Sequence, residues 1–134
     1  MFAPHQSQAH AYSAVQNETA VQGADPHQLI ELLLEGALSA IAAAHGAIER
    51  GDMAAKGRGI SRAVGIVDEG LRGALDPKAG GTVAATLDDL YACVLLRLTQ
   101  ANVNNDSVLL RECSSLLLPL RDAWRDIKLQ RLAA

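Results

Sequence analysis

Residues 87–106, LDDLYACVLLRLTQANVNND, decide the fold because they fit one long α-helix with a regular apolar face. An apolar stripe on one side of that helix is expected to pack against a core. It consists of Leu87, Leu90, Tyr91, Val94, Leu98 and Ala101. A second stripe lies on the opposite side, where the helix of a soluble protein is normally polar, and it consists of Ala85, Ala92, Leu96 and Val103. This second stripe requires a partner of its own.

Two helices are predicted before this one from their capping residues. Asp25-Pro26-His27-Gln28 combines an N-cap, a proline in the first helical position and a capping-box glutamine. The helix that it opens continues to Gly51, a typical C-terminal glycine, and Asp52 caps the next. The second helix is predicted to end near Asp76-Pro77.

Gly80-Gly81-Thr82 is predicted to open the third helix, and Asp106 to cap a fourth. Pro119 lies inside the fourth apolar pattern and predicts a kink, because it removes one backbone hydrogen bond. Four helices joined by short turns predict an all-α, antiparallel four-helix bundle over residues 25–131. Residues 1–24 are polar and predict a flexible or short-helical N-terminal arm that can dock on the bundle or leave it.

Composition supports this fold and excludes several functions. The chain has 134 residues, of which 49% are hydrophobic but only 3% aromatic, which favours packed helices over a sheet. Its net charge of −3 and lack of a basic stripe argue against nucleic-acid binding. The uninterrupted apolar runs are too short to predict membrane insertion. The N-terminus lacks the features of a secretory signal, so we expect a cytoplasmic protein with Cys93 and Cys113 as free thiols.

No catalytic, cofactor or metal site is predicted. A di-iron bundle needs paired Glu-x-x-His sets, and this spacing does not occur. His45 is the only histidine inside a predicted helix, which leaves a histidine phosphotransfer module as a weak alternative. Such modules normally carry a lysine two residues after the histidine, where this chain has Ala47. The protein is therefore not expected to be an enzyme.

Other predicted helices repeat the anomaly of the second stripe. Leu34 and Leu38 lie off the core stripe of the first helix, and Ile66 adjoins Val67 in the second. In the fourth helix, Leu110 and Leu118 also depart from the core face. Wide buried faces explain any one of these residues, whereas together they predict an exposed apolar groove that binds a helix of another chain.

The ordered motifs of the chain resemble those of the flagellar secretion chaperone family FliS. The resemblance runs from about Ala11 to Ile127 and depends on the whole set in order rather than on any one motif. The motifs are AYSAV (11–15), DPHQLIELLLEGA (25–37), ERGD (49–52), GIVDEGLRGALD (65–76), KAGGTVAATLDDLY (78–91), RLTQANVNND (97–106) and RDAW (121–124).

The resemblance implies a cytosolic chaperone for type III flagellar export. It implies that the bundle binds the C-terminal region of flagellin, prevents premature polymerisation and helps to deliver flagellin to the export gate. The residues predicted to contact the partner are Tyr12, Val15, Leu34, Leu38, Ile66, Leu96, Val103, Leu110 and Leu118. The alternatives are a generic helical adaptor and a homodimer in which the second stripe contacts its own copy.

Overall fold

The computed structural model describes the backbone of residues 25–133 and the side chains of residues 25–130. These residues form four α-helices and no strand: α1 (Pro26–Arg50), α2 (Met53–Gly65), α3 (Pro77–Asn104) and α4 (Ser107–Ala133). A π-helical segment (Ile66–Arg72) extends α2 without a break. The predicted all-α fold with four helices is confirmed.

The predicted caps of α1 and α2 are present. The Gln28 amide donates to Asp25 Oδ1 at 2.8 Å, and the Asp25 amide donates to Gln28 Oε1 at 3.1 Å, which completes the capping box. Gly51 ends α1 in the left-handed region at φ 73°. Asp52 then accepts a hydrogen bond from the Ala55 amide at 3.0 Å. Local side-chain and backbone chemistry therefore sets the start of α1 and the turn between α1 and α2.

The start of α3 differs from the prediction. Asp76 caps this helix by accepting from the Lys78 and Ala79 amides at 3.0 and 3.1 Å, and Pro77 occupies the first helical turn. Gly81 interrupts the helix at φ 55° and ψ −129°, a conformation that essentially only glycine adopts. The glycine pair thus marks a break inside α3, because Asp76-Pro77 already supplies a complete helix start.

Neighbouring helices run antiparallel, as the contacts between α3 and the helix before it illustrate. Lys56, near the start of α2, bonds to Asn105 at the end of α3. Arg72, at the end of the π-helical segment, bonds to Asp88 nearer the start of α3, with 2.8 Å between Nε and Oδ1. Since the residue number rises on one element while it falls on the other, the two run in opposite directions.

Helix α1 has the widest buried face of the bundle. It packs against α2, the π-helical segment and α4. Its fully buried apolar residues are Leu33, Leu34, Ala37, Ala40, Ile41, Ala44 and Ala47. Alanine lets the neighbouring helices approach closely: a Cβ added to Gly59 of α2 would lie 3.1 Å from the Ala44 methyl group. The core is therefore built on two adjoining sides of α1.

Lys56 is a buried cation that joins α2 to the C-terminal end of α3. Its side chain is 8% exposed, and Nζ donates to the Asn102 carbonyl at 2.9 Å and to Asn105 Oδ1 at 2.6 Å. Asn105 has a left-handed φ of 51° and is the C-cap of α3. A lysine at this end satisfies a free carbonyl group and complements the helix dipole.

His27 and Trp124 connect the start of α1 to the C-terminal half of α4. Trp124 Nε1 donates to the His27 carbonyl at 3.0 Å, and His27 Nε2 lies 3.0 Å from the Trp124 carbonyl. The two rings stack with centroids 5.0 Å apart. A carbonyl only accepts, so Nε2 of His27 carries the proton in this contact.

Candidate functional site

Three of the apolar residues that were predicted to be exposed and to contact a partner are buried in the core. Leu34, Ile66 and Leu110 each have a relative exposure of 0%. The prediction of their exposure is therefore wrong, and their side chains are not accessible to a partner in this conformation.

The burial of each has a structural cause. Leu34 is covered because α1 contacts helices on two sides, so a single narrow stripe underestimates its buried face. Ile66 and Val67 are both buried where the chain changes from an α-helix to a π-helix, and adjacent residues share a wide buried face there as Leu33 and Leu34 do in α1. In α4 the core face includes Leu110, while Ile127 near the C-terminal end of the helix is 45% exposed.

The other predicted residues of the bundle retain some exposure. Leu96 is 59% exposed and Val103 is 76% exposed, and both lie on the outer side of α3. Leu118 of α4 is 38% exposed, while Leu38 is half-buried and packs against the core. Tyr12 and Val15 lie outside the described residues.

The whole second stripe of α3 faces outward. Ala85 and Ala92 are exposed together with Leu96 and Val103, while Tyr91, Val94 and Leu98 are buried on the other side. By length and composition alone, α1 and α3 are apolar enough to cross a membrane. In the most apolar 18-residue stretch of each helix, the bundle buries 39% of α1 but only 17% of α3. Helix α3 thus carries more apolar surface than the bundle covers.

A groove beside this helix extends the apolar surface onto α4. Its volume is about 350 Å³, and its lining residues are Arg97, Val108, Arg111, Glu112, Ser115 and Leu116. Val108 is 52% exposed and was not among the predicted contact residues. Its position in the first turn of α4, on a different side from the buried Leu110, is the signal that could have identified it. An ion pair with 3.2 Å between Arg97 Nε and Glu112 Oε2 crosses the groove.

A larger cavity of about 450 Å³ lies at the end of the bundle where α1 begins. Its apolar walls include Ile30, Leu75 and Leu87, and the His27–Trp124 pair also lines it. Tyr91 also lines it, and its side chain is 3% exposed. Burial raises the pKa of the Tyr91 hydroxyl to about 12, so the group is uncharged near neutral pH. Asp25, the first described residue, is at the cavity wall, so residues 1–24 join the bundle there.

The titratable groups of the described residues form no metal cluster of three or more ligands. His45 Nδ1 lies 3.6 Å from Glu49 Oε1, and the ring is about a quarter exposed. Both cysteines are free thiols: Cys93 contacts the Arg97 guanidinium, and Cys113 is buried. Burial raises the pKa of the Cys113 thiol to about 11, which keeps it protonated and unreactive near neutral pH.

Comparison with known proteins finds a family that matches most of the chain. The family described as "Flagellar protein FliS" matches residues 8–131. Flagellar secretion chaperone FliSB of Pseudomonas aeruginosa is 46% identical over 116 residues, which cover 87% of this chain and 91% of that protein.

Two further relatives have the same name and similar coverage. Flagellar secretion chaperone FliS of Salmonella typhimurium is 44% identical over 117 residues, 87% of each chain. Its counterpart in Escherichia coli is 34% identical over 126 residues, 94% of this chain and 91% of that one. The chain therefore belongs to the FliS family of flagellar secretion chaperones, a family of chaperones and not of enzymes.

Proposed function

We propose that this protein is a cytoplasmic chaperone that binds the C-terminal region of flagellin, prevents its premature polymerisation and assists its delivery to the flagellar export gate. The observation that carries the proposal is the exposed second stripe of α3, in a chain that belongs to a family of flagellar secretion chaperones. A bundle with a complete core has no internal need for this stripe, so an external partner explains it.

The geometry of α3 suits an amphipathic helix from the partner. Ala85 and Ala92 are small enough for the backbone of another helix to come close, while Leu96 and Val103 project from the surface as apolar contacts. The adjoining groove is lined by Val108 and Leu116 together with the charged or polar side chains of Arg97, Arg111, Glu112 and Ser115. Protein interfaces usually combine apolar contacts with charged and polar groups in this way.

Binding of this kind explains both retention and release. The family resemblance implies that this flagellin segment is disordered in the monomer and helical in the filament, and the proposed role of the chaperone is to cover the apolar groups of that segment. Ordering the segment costs conformational entropy, which lowers the affinity per unit of buried area. The complex is therefore specific and remains reversible at the export gate.

The test of the proposal is the binding of full-length and truncated flagellin to the chaperone. Monomeric flagellin is expected to bind about one to one, and removal of its C-terminal region is expected to weaken binding by at least about 100-fold, since the main contact area is lost. Isothermal titration calorimetry measures both values. A flagellin truncated at the N-terminus to the same extent is the control, and equal affinity of the two truncated forms would refute the proposal.

We further propose that the N-terminal arm, residues 1–24, competes with flagellin for the bundle. The arm carries Tyr12 and Val15 as apolar groups and joins the bundle beside the 450 Å³ cavity, so a short tether holds these groups at a high local concentration. Deletion of residues 1–24 is therefore expected to tighten binding of a flagellin C-terminal peptide several-fold and to increase binding of a hydrophobic dye.

The double substitution Tyr12→Ser and Val15→Ser in the full-length chain is the matched test, because it keeps the tether and removes its two apolar groups. It is expected to have the same effect as the deletion. Weaker peptide binding by either variant would instead make the arm part of the binding site, and unchanged binding would make it an inert tail. Either result would contradict the competition.

A further inference from the structure

The cavity at the start of α1 has the size and the apolar walls of a small-molecule site. Its volume of about 450 Å³ lies within the range of roughly 300–1,000 Å³ that is typical of such sites. Its walls come from the start of α1, the end of the π-helical segment, α3 and α4, so an occupant would contact four elements of the bundle at once. Apolar walls supply affinity, and a few polar groups among them orient a ligand.

The polar side chains that line the cavity differ in whether they are already bonded. Asp25 accepts a hydrogen bond in the α1 cap, and His27 and Trp124 each bond to the main-chain carbonyl of the other. Tyr91 is 3% exposed, and its hydroxyl forms no hydrogen bond with any residue that the structure describes. Since a buried hydroxyl without a partner is costly, Tyr91 is the group of the cavity that calls for a ligand.

The Tyr91 side chain extends along α3 in the direction of the cavity. Long side chains of an α-helix lean towards the N-terminal end of the helix, over the preceding turn. Leu87 lies one turn before Tyr91 and also lines the cavity. The phenolic oxygen, the atom farthest from the backbone, is therefore directed to the space that a ligand would fill.

We infer that this cavity binds a small uncharged molecule that has an apolar body and one hydrogen-bond acceptor, and that the Tyr91 hydroxyl donates to this acceptor. The described residues that line the cavity include one carboxylate, Asp25, and no lysine or arginine. An anion would therefore lack a countercharge, and a cation would have to lose its hydration against apolar walls. The oxygen of a ketone, ester or amide accepts from the hydroxyl without either cost.

The cavity is separate from the outer surface of α3 that is proposed to bind flagellin. Leu87 and Tyr91 pack on the core side of α3, whereas Leu96 and Val103 are exposed on its opposite side. A molecule in the cavity therefore does not contact the proposed flagellin site. The inference can be tested without flagellin, and its failure would leave the proposed function unaffected.

Propiophenone and propylbenzene are suitable probes because they share one carbon skeleton and differ only in a carbonyl group. Each is titrated into the isotope-labelled full-length chain and followed by NMR. Trp124 is the only tryptophan of the chain and lines the cavity, so its single indole N–H signal reports on occupancy. We expect a saturable shift of this signal, with a Kd of about 0.1 mM for the ketone.

Tyr91→Phe is the variant that isolates the hydroxyl. It is expected to weaken propiophenone binding by about 5- to 10-fold and to leave the affinity for propylbenzene unchanged, because only the ketone loses a hydrogen bond. Its melting temperature is expected not to fall, since no hydrogen bond within the described chain is lost. Ala74→Phe places a phenyl group at an exposed position of the cavity wall and is expected to weaken both probes by about fivefold or more, because it reduces the space.

Four results would overturn the inference. The first is the absence of a saturable shift up to the solubility limit of the probes. The second is an equal loss of affinity for both probes in Tyr91→Phe, or a lower melting temperature of that variant, because the hydroxyl would then support the fold. The third is binding that appears only after deletion of residues 1–24, which would assign the cavity to the arm. The fourth is displacement of both probes by a flagellin C-terminal peptide, which would assign it to the partner.

Discussion

Replacement of both Leu96 and Val103 by aspartate is expected to weaken flagellin binding by about 100-fold or more, which corresponds to roughly 3 kcal/mol. Both residues are exposed in the free chaperone, at 59% and 76%, so the new carboxylates remain hydrated there. In the complex they would be desolvated without an ionic partner, and this cost appears entirely in the binding free energy. Calorimetric titration with flagellin measures the effect.

Two controls make this result specific. Leu129→Asp introduces the same charge at a residue of α4 that is 63% exposed, and it is expected to leave flagellin affinity unchanged. The helical circular dichroism and melting temperature of the double variant should match those of the wild type. A large fall in either would mean that Leu96 and Val103 support the fold, whereas full affinity with an intact fold would remove α3 from the binding site.

Leu34→Ala is expected to destabilise the folded protein by about 3 kcal/mol, within the range of 2–5 for buried leucines. Leu34 is fully buried and belongs to the main hydrophobic core, so its truncation removes apolar contacts and leaves a cavity. The melting temperature is expected to fall by roughly 10 °C for a domain of this size. Urea unfolding followed by circular dichroism gives the free energy directly.

Leu96→Ala is the matched control, because it removes the same atoms from an exposed position of α3. Its effect on the free energy of unfolding is expected to stay within about 0.5 kcal/mol. Together the two substitutions distinguish core from surface among residues that the sequence pattern places in one class. Equal destabilisation by both would contradict the burial described for α1.

Much of the fold could be predicted from local chemistry. Asp25, Asp52 and Asp106 were predicted as caps, and each accepts a backbone hydrogen bond at the start of its helix. Such contacts form between residues two or three apart in sequence, so a single sequence contains all the information that they need. The two faces of α3 were also predicted correctly, because one regular α-helix fixes the direction of every side chain.

The candidate site was harder to predict because exposure depends on neighbouring helices. Leu34 lies off the main apolar stripe of α1. It is buried because other helices pack against two sides of α1. Ile66 was misplaced because a narrow core face was expected to admit only one of two adjacent residues, whereas Ile66 and Val67 are both buried. Leu110 was assigned to the surface, but it is fully buried, because the face of α4 that packs against the other helices includes it.

The two ends of α3 should exchange their amide hydrogens with solvent at very different rates. Lys56 holds the last turn through the Asn102 carbonyl, and the Asn105 and Asp106 amides both donate to the Ala101 carbonyl. At the other end, the break at Gly81 separates a short first turn from the rest of the helix. Protection is therefore expected to rise along α3 from Gly81 towards Ala101. A partner would contact a rigid surface at Val103 and a more adaptable one near Ala85. Association is therefore expected to begin at the Val103 end of α3 and to extend towards the Ala85 end.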